Sequence, residues 1–344
     1  MNPNIPPHDP SSGARPAIDA SRTAWFAQRF VAVAENCGRV LQGKPEVIRL
    51  ALTCLFAEGH LLIEDVPGVG KTSLARAMAA SVDATSHRIQ FTPDLLPSDI
   101  TGVTVFNQAT GQFEFRPGGV FANVVVADEI NRASPKTQSA LLEVMEERVV
   151  TVDSDRHPVP RPFIVVATQN PIDLEGTYRL PEAQLDRFLL RVSVGYPDRT
   201  SEVGIALGQS VAQSIDSLTA VLSTADVVAM IDIARGVHVA TELAEYVVDL
   251  AAATRRLPEV RLGISPRGTV SLLRAVRASA AAEGRAYALP EDVKALAGPV
   301  FAHRLILTPE AELQGTDRAA LVHRLLATLP VPGIQVPSAT ASVR

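Results

Sequence analysis

A glycine-rich segment spanning residues 64–73 carries the residue types of a phosphate-binding loop. It follows an apolar run and precedes a helical pattern, which is the setting that such a loop needs. Lys71 would reach the β- and γ-phosphates of a nucleotide, and Thr72 would hold Mg²⁺. Asp65 replaces the first glycine of the usual G-x-x-x-x-G-K-[ST] pattern, and aspartate tolerates unusual backbone angles better than most residues. We therefore predict a nucleoside triphosphate site formed by Asp65, Val66, Pro67, Gly68, Val69, Gly70, Lys71, Thr72 and Ser73.

Two further polar groups follow apolar, strand-like runs later in the chain. Asp128 and Glu129 end the run at residues 123–127, and Asn170 follows the run at residues 163–168. An aspartate at such a strand end helps to hold Mg²⁺ in P-loop ATPases, so Asp128 is predicted to bind the metal through a water molecule. Glu129 is placed to act as a general base on the water that attacks the γ-phosphate. Asn170 could orient that same water.

Each of these residues also has an ordinary structural explanation. Lys71 could be a solvated lysine at a helix start, and Asp128 with Glu129 could cap a helix, because acidic side chains favour helix N-termini. Asn170 precedes a proline and could belong to a plain turn. The joint interpretation is favoured because all three groups follow strand-like runs, and ligands bind at the carboxyl edge of an open α/β sheet.

The elements that would position these residues are visible in the hydrophobic pattern. Strand-like runs alternate with helical patterns over residues 22–196, which is typical of a parallel sheet covered by helices on both faces. Residues 197–329 have apolar positions at helical spacing and predict a helical domain. The proline- and serine-rich segments 1–21 and 330–344 are predicted to be disordered tails. The predicted strands lie near residues 60–64, 87–91, 123–128, 162–168 and 189–193, and helices are predicted at residues 267–283, 290–298 and 317–328.

Composition limits the remaining classes of function. The net charge of −5 and the low aromatic content of 5% offer no general case for nucleic-acid binding, so no DNA partner is expected. Cys37 and Cys54 are the two cysteines, and their apolar surroundings predict buried free thiols without metal-binding spacing. No secretory signal and no run long enough to span a membrane is found, so a cytoplasmic protein is expected.

Several of these motifs together resemble the MoxR group of AAA+ ATPases over about residues 24–310. The run from Asp128 to Glu143 is similar to the Walker B segment of that group almost residue for residue. Residues 167–171 resemble its sensor 1, residues 180–188 its arginine-finger segment, residues 265–267 its sensor 2, and residues 90–99 a further signature. Two features depart from the group: Arg179 stands where a proline is common, and the order Gln42-Gly43 is the reverse of the usual one.

The resemblance implies an α/β fold, in which an AAA+ αβα core with a five-stranded parallel sheet is followed by an all-α lid. ATP and Mg²⁺ would bind between the two parts, and Arg267 would contact the nucleotide from the lid. Arg187 would act on the nucleotide of a neighbouring subunit in a homo-hexameric ring. Without the resemblance, Arg187 could simply pair with Asp186 or Glu182, and Arg267 could be a solvated first-turn residue. Insertions are implied at residues 99–119 and as a hairpin at residues 149–161.

The resemblance implies a chaperone-like ATPase that matures or inserts cofactors or metals into protein complexes. A separate protein partner carrying a von Willebrand A domain would then be needed, because none lies in this chain. Three alternatives remain open at this point: an ATPase subunit of a metal chelatase, a nucleic-acid-acting AAA+ regulator, and a nucleotide-binding scaffold without turnover. The acidic balance disfavours the regulator, and Glu129 disfavours the scaffold because a scaffold has no need of a base.

Overall fold

The computed structural model describes residues 19–66, 68–170, 178, 180–207, 215–331 and 333. These residues form an α/β domain followed by a helical domain, as predicted. The helices are α1 Ala20–Gly38, α2 Pro45–Phe56, α3 Lys71–Ser81, α4 Pro97–Thr101, α5 Pro135–Glu147, α6 Glu182–Leu185, α7 Arg199–Ala206, α8 Thr224–Gly236, α9 Thr241–Thr254, α10 Pro266–Ala282, α11 Pro290–Phe301, α12 Pro309–Leu313 and α13 Arg318–Thr328. The strands are β1 Leu61–Glu64, β2 Ser86–Gln90, β3 Gly102–Asn107, β4 Gln112–Pro117, β5 Val124–Asp128, β6 Val149–Val152, β7 Asp155–Pro158, β8 Ile164–Gln169, β9 Leu190–Val192, β10 Val260–Leu262 and β11 Ile306–Leu307.

A five-stranded parallel sheet in the order β2-β5-β8-β1-β9 lies at the centre of the first domain. Its three middle strands consist almost entirely of buried valine, isoleucine, leucine and alanine. Such strands need apolar residues at every position because helices cover both faces of the sheet. The predicted parallel sheet is therefore confirmed, and each strand lies within two residues of its predicted bounds.

Two apolar clusters cover the two faces of this sheet. Successive side chains of a strand point to opposite faces, so Val124 and Val126 join one cluster while Val125 and Ala127 join the other. The first cluster continues into the helical domain, where α8 and α10 contact α1 and α2. Apolar burial therefore attaches the helical domain to the side of the core that carries α1 and α2.

Two antiparallel hairpins extend from the core where insertions were expected. Strands β3 and β4 form the first hairpin within the segment 99–119, and β6 and β7 form the second within the segment 149–161. The ring of Phe115 stacks on His157 with centroids 3.8 Å apart, so the two hairpins contact each other. The hairpin expected at residues 149–161 is confirmed, and the segment 99–119 also contains a hairpin.

The first helix begins earlier than the domain boundary predicted from composition. Asp19 caps α1, because its side chain accepts a hydrogen bond from the backbone N–H of Arg22 at 2.9 Å. Residues 20 and 21 are therefore helical, although they were assigned to the tail. Most of both predicted tails lies outside the described residues. In the part of the chain that the structure covers, every helix is too short or too polar to cross a lipid bilayer.

Candidate active site

The turn between β1 and α3 has the backbone of a phosphate-binding loop. Gly68 and Gly70 adopt φ angles of 84° and 94°, which residues with a side chain rarely adopt. A Cβ atom on Gly70 would also lie 3.0 Å from the side chain of Leu41. Lys71, Thr72 and Ser73 open α3, so the N–H groups of its first turn face the loop. Val66 and Val69 belong to the same turn, and Pro67 lies outside the described residues.

Asp65 anchors this loop to the chain that follows β9. Its carboxylate accepts hydrogen bonds from the backbone N–H of Gly195 at 2.6 Å and from the hydroxyl of Ser193 at 2.8 Å. Burial alone would raise the pKa of Asp65, but these hydrogen bonds outweigh it and the pKa is lowered. Asp65, at the first glycine position of the motif, therefore stabilises the loop by binding it to the segment that follows β9.

Lys71, Thr72 and Asp128 converge where β1, β5 and β8 end. The Lys71 ammonium donates to the carbonyl oxygen of Asp65 at 2.6 Å and lies 3.5 Å from that of Gln169. The Thr72 hydroxyl donates to the Asp128 carboxylate at 3.2 Å, and so does the hydroxyl of Thr168. The Asp128 side chain is only 6% exposed, so its carboxylate is largely shielded from water. The sequence prediction that these segments meet is supported by these contacts.

Glu129 stands beside this group in a strained conformation. Its φ angle of 56° lies in the left-handed region, which is uncommon for a residue with a side chain and is often found at functional sites. The Glu129 carboxylate accepts hydrogen bonds from Gln90 at 3.1 Å and from Arg132 at 3.0 Å. The carbonyl oxygen of Asn170 accepts from Asn131 at 3.4 Å, which places Asn170 close to the turn after Glu129.

Arg88 and Gln90 are site residues that the sequence analysis missed. Arg88 donates to the Asp128 carboxylate at 2.6 Å, and Gln90 lies directly opposite Asp128 in the β2–β5 register. The alternation of β2 puts Arg88 and Gln90 on one face of the strand, next to the end that carries ligand-binding residues in such sheets. That alternation was the signal that could have identified them.

Arg187 and Arg267 lie at the opposite end of the sheet. Both form ion pairs with Glu146, and both line a cavity of about 270 Å³ together with His60, which immediately precedes β1. Lys71 follows the other end of β1, and five residues of extended chain separate the two ends by roughly 16 Å. In this structure Arg267 therefore lies away from the phosphate loop of its own chain, and its contact with a nucleotide stays a prediction.

The packing of the lid against the core explains this placement of Arg267. Ser265 caps α10 and donates to the Asp186 carboxylate at 3.0 Å, so the start of α10 is fixed beside Arg187. Asp186 also pairs with Arg304 at 2.7 Å, whereas Arg187 pairs with Glu146. Arg179, noted beside the proposed finger, lies outside the described residues.

The donor set at the carboxyl edge suits Mg²⁺. Thr72 offers a hydroxyl oxygen and Asp128 a carboxylate oxygen, and Mg²⁺ prefers one or two such protein ligands, with phosphate oxygens and water filling its other positions. Elsewhere among the described residues, no group of three or more histidine, cysteine or acidic side chains could hold a metal ion.

Known protein families and relatives resemble this chain over most of its length. Residues 60–190 match the model of the ATPase family associated with various cellular activities, and residues 252–325 match an AAA lid domain. The uncharacterized protein YeaC of Bacillus subtilis is 47% identical over 87% of this chain and 93% of its own length. The chaperone MoxR1 of Mycobacterium tuberculosis is 41% identical, over 86% of this chain and 80% of its own length. The protein MoxR of Paracoccus denitrificans is 34% identical, over 92% and 99% respectively.

A solved structure agrees as well. The crystal structure of an ATPase candidate from Cytophaga hutchinsonii superposes with a TM-score of 0.83 and 36% sequence identity, covering 91% of this chain and 97% of that one. A phosphate loop after β1, an Asp-Glu pair at the end of β5 and a helical lid define the class: an AAA+ ATPase, which binds and hydrolyses ATP. The chain belongs to the MoxR family within that class.

Proposed function

We propose that this chain is a MoxR-type, chaperone-like ATPase that remodels partner protein complexes. The observation that carries the proposal is the convergence of Lys71, Thr72, Asp128 and Glu129 at one edge of the sheet. The printed name of the chaperone MoxR1 supports a chaperone-like role. Maturation by cofactor or metal insertion, with a separate partner that carries a von Willebrand A domain, is the specific form of this role that we propose.

Each residue of the site has a defined part in hydrolysis. Lys71 and the first N–H groups of α3 stabilise the negative charge of the β- and γ-phosphates. Thr72 would hold Mg²⁺ directly and Asp128 through a water molecule, and the ion would neutralise charge on the phosphate oxygens. Glu129 accepts a proton from the attacking water, and Asn170 orients that water. Glu129 must first leave Gln90 and Arg132, which bind its carboxylate in this structure.

Arg187 and Arg267 serve the site of a neighbouring subunit in this proposal. They lie at the end of the sheet away from their own Lys71, and their side chains remain 28% and 46% exposed. An arginine supplied by a neighbour can stabilise transition-state charge and raise the rate by roughly 10³–10⁵. A contact in which one end of the molecule meets the opposite end of the next closes into a ring when the rotation between subunits allows it, and we propose a homo-hexameric ring.

Replacing Glu129 by glutamine tests the hydrolytic mechanism. Glu129→Gln should bind MgATP within about threefold of the wild-type affinity, because the phosphate loop is untouched, and lose roughly 10²–10⁴ in turnover, because an amide does not accept the proton. Nucleotide titration and phosphate release measure the two effects. Glu143→Gln, an equivalent change at an exposed position of α5, should leave both unchanged. Turnover of Glu129→Gln close to wild type would refute the assignment of the base.

A further inference from the structure

One carboxylate joins the two arginines that lie away from the phosphate loop. Glu146, in the last turn of α5, contacts Arg187 with Oε2 at 3.2 Å, and its Oε1 accepts a hydrogen bond from Arg267. Arg187 belongs to the core and Arg267 to the lid, so Glu146 bridges the two domains. A guanidinium has five N–H donors, so each arginine keeps donors for a further anion after binding Glu146.

The other acidic groups around the cavity are engaged elsewhere. Asp186 binds Arg304 and Ser265, and Glu58 binds Arg148 among other arginines. Glu146 is thus the acidic partner that the structure gives to Arg187 and Arg267 within the described part of the chain. Without its charge the two guanidinium groups would repel each other, because like charges at this range interact unfavourably.

This arrangement fixes the distance between the side chains of Arg187 and Arg267. Two arginines that must meet one triphosphate have to be held close together before the phosphate arrives, and ordering flexible side chains in advance lowers the cost of binding a transition state. Ser265 and Asp186 already fix the backbone of α10 beside the Arg187 segment. Glu146 then fixes the side chains.

We propose that Glu146 is a positioning residue for hydrolysis at the adjoining subunit, where it holds Arg187 and Arg267 as a pair. This inference rests on the proposed function, in which both arginines act across a subunit interface. It predicts that a chain without Glu146 keeps a functional nucleotide site of its own and loses only the correct placement of the arginines that act on its neighbour's site.

Mixing two variants with impaired turnover tests this prediction. Glu146→Ala alone should keep MgATP affinity within about threefold and lose at least roughly tenfold in turnover, because its own phosphate loop is intact while its arginines are misplaced. An equal mixture with Glu129→Gln should regain activity, since about one interface in four then pairs an intact Glu146 with an intact Glu129. Phosphate release at fixed total protein measures the recovery.

Three controls separate this inference from a purely structural effect. Glu147→Ala removes the same charge from the exposed neighbouring residue of α5 and should leave turnover unchanged. Glu146→Gln retains one acceptor oxygen, so its turnover should lie between those of wild type and Glu146→Ala, and this variant carries the test if the alanine variant does not fold. Arg187→Ala mixed with Glu129→Gln reports on action across the interface itself.

The outcomes are distinguishable. Failure of the Arg187→Ala mixture to recover would overturn the proposed action across subunits. Recovery in that mixture without recovery in the Glu146→Ala mixture would overturn the positioning role alone. Wild-type turnover of Glu146→Ala would also overturn it, whatever the mixtures show.

Discussion

At the scale of single residues, Asp128 is the group around which the phosphate site is arranged. The hydroxyls of Thr72 and Thr168 and the guanidinium of Arg88 all donate to its buried carboxylate. A buried charge is tolerated only when it is paired and hydrogen-bonded, and these three donors meet that requirement. They also bring the Thr72 hydroxyl and the Asp128 carboxylate together, as shared binding of one metal ion requires.

The role of the Thr72 hydroxyl can be tested by two substitutions. Thr72→Ala should lower Mg²⁺-dependent hydrolysis by at least about tenfold, because one of the few protein oxygens available to Mg²⁺ is removed. Thr72→Ser keeps the hydroxyl and should remain near wild type. A titration of hydrolysis against Mg²⁺ concentration measures the effect, and an unchanged titration for Thr72→Ala would contradict metal binding at this residue.

At the scale of elements, Glu58 connects two segments of the core, the end of α5 and the chain after β7, to α8 of the lid. It lies between α2 and β1 with its side chain 3% exposed, and it binds Arg148 at the end of α5, Arg161 after β7 and Arg235 on α8. Burial alone would raise the pKa of Glu58, but the nearby arginines outweigh it and the pKa is lowered. The carboxylate is therefore charged in the folded protein and joins three separate elements.

Neutralising Glu58 should weaken the whole fold. Glu58→Gln removes a buried counter-ion from Arg148, Arg161 and Arg235, whose side chains are 31%, 44% and 53% exposed. Because water screens these partly exposed partners, the loss of unfolding free energy should lie below the roughly 3–5 kcal/mol of a fully buried ion pair. Asp232→Asn is the matched control, because Asp232 pairs with Arg161 and Arg235 but is 51% exposed. Exposed pairs contribute about 0–1 kcal/mol. Denaturant unfolding measures both variants, and equal losses would contradict the importance of burial.

At the scale of the whole molecule, two buried histidines make stability depend on pH. His60 lies within the core, where Nδ1 accepts from the Val165 N–H at 2.9 Å, and His303 contacts the Phe188 carbonyl oxygen where lid and core meet. Burial lowers the pKa of His60 to about 3 and that of His303 well below its ordinary value. Both rings are therefore neutral in the folded protein at neutral pH.

These pKa shifts predict a loss of stability on acidification. Below a pH of about 6.5, the unfolded chain binds protons on both histidines while the folded chain does not, so stability falls as pH falls. For each histidine, the loss of unfolding free energy approaches roughly 1.4 kcal/mol per pH unit. The loss stops growing once the pH falls below the pKa of that histidine in the folded protein. Unfolding midpoints at pH 7 and pH 5 measure it. His303→Gln should flatten the dependence, whereas His87→Gln, at an exposed position, should not.

Most of the phosphate site could be predicted because its parts are local in the sequence. The loop of Gly68 to Thr72 lies within one turn, and apolar runs mark the strands that end at Asp128 and Asn170. Parallel strands bring their carboxyl ends to one edge, so predicting the strands also predicted the meeting of these residues. The alternation of β2 places Arg88 and Gln90 on one face, but that signal points to Asp128 only when β2 is known to lie next to β5, which the structure supplies.

The sequence by itself determined the class of fold and the groups that are proposed to bind a triphosphate, because short-range pattern and backbone geometry specify them. Only the tertiary structure decided where the lid packs and what Arg267 faces. Glu146 and Arg267 are 121 positions apart, and their contact depends on how apolar burial seats one domain against another. Many arrangements of two amphipathic domains satisfy the same local pattern, so the packing of side chains across their interface is what selects one of them.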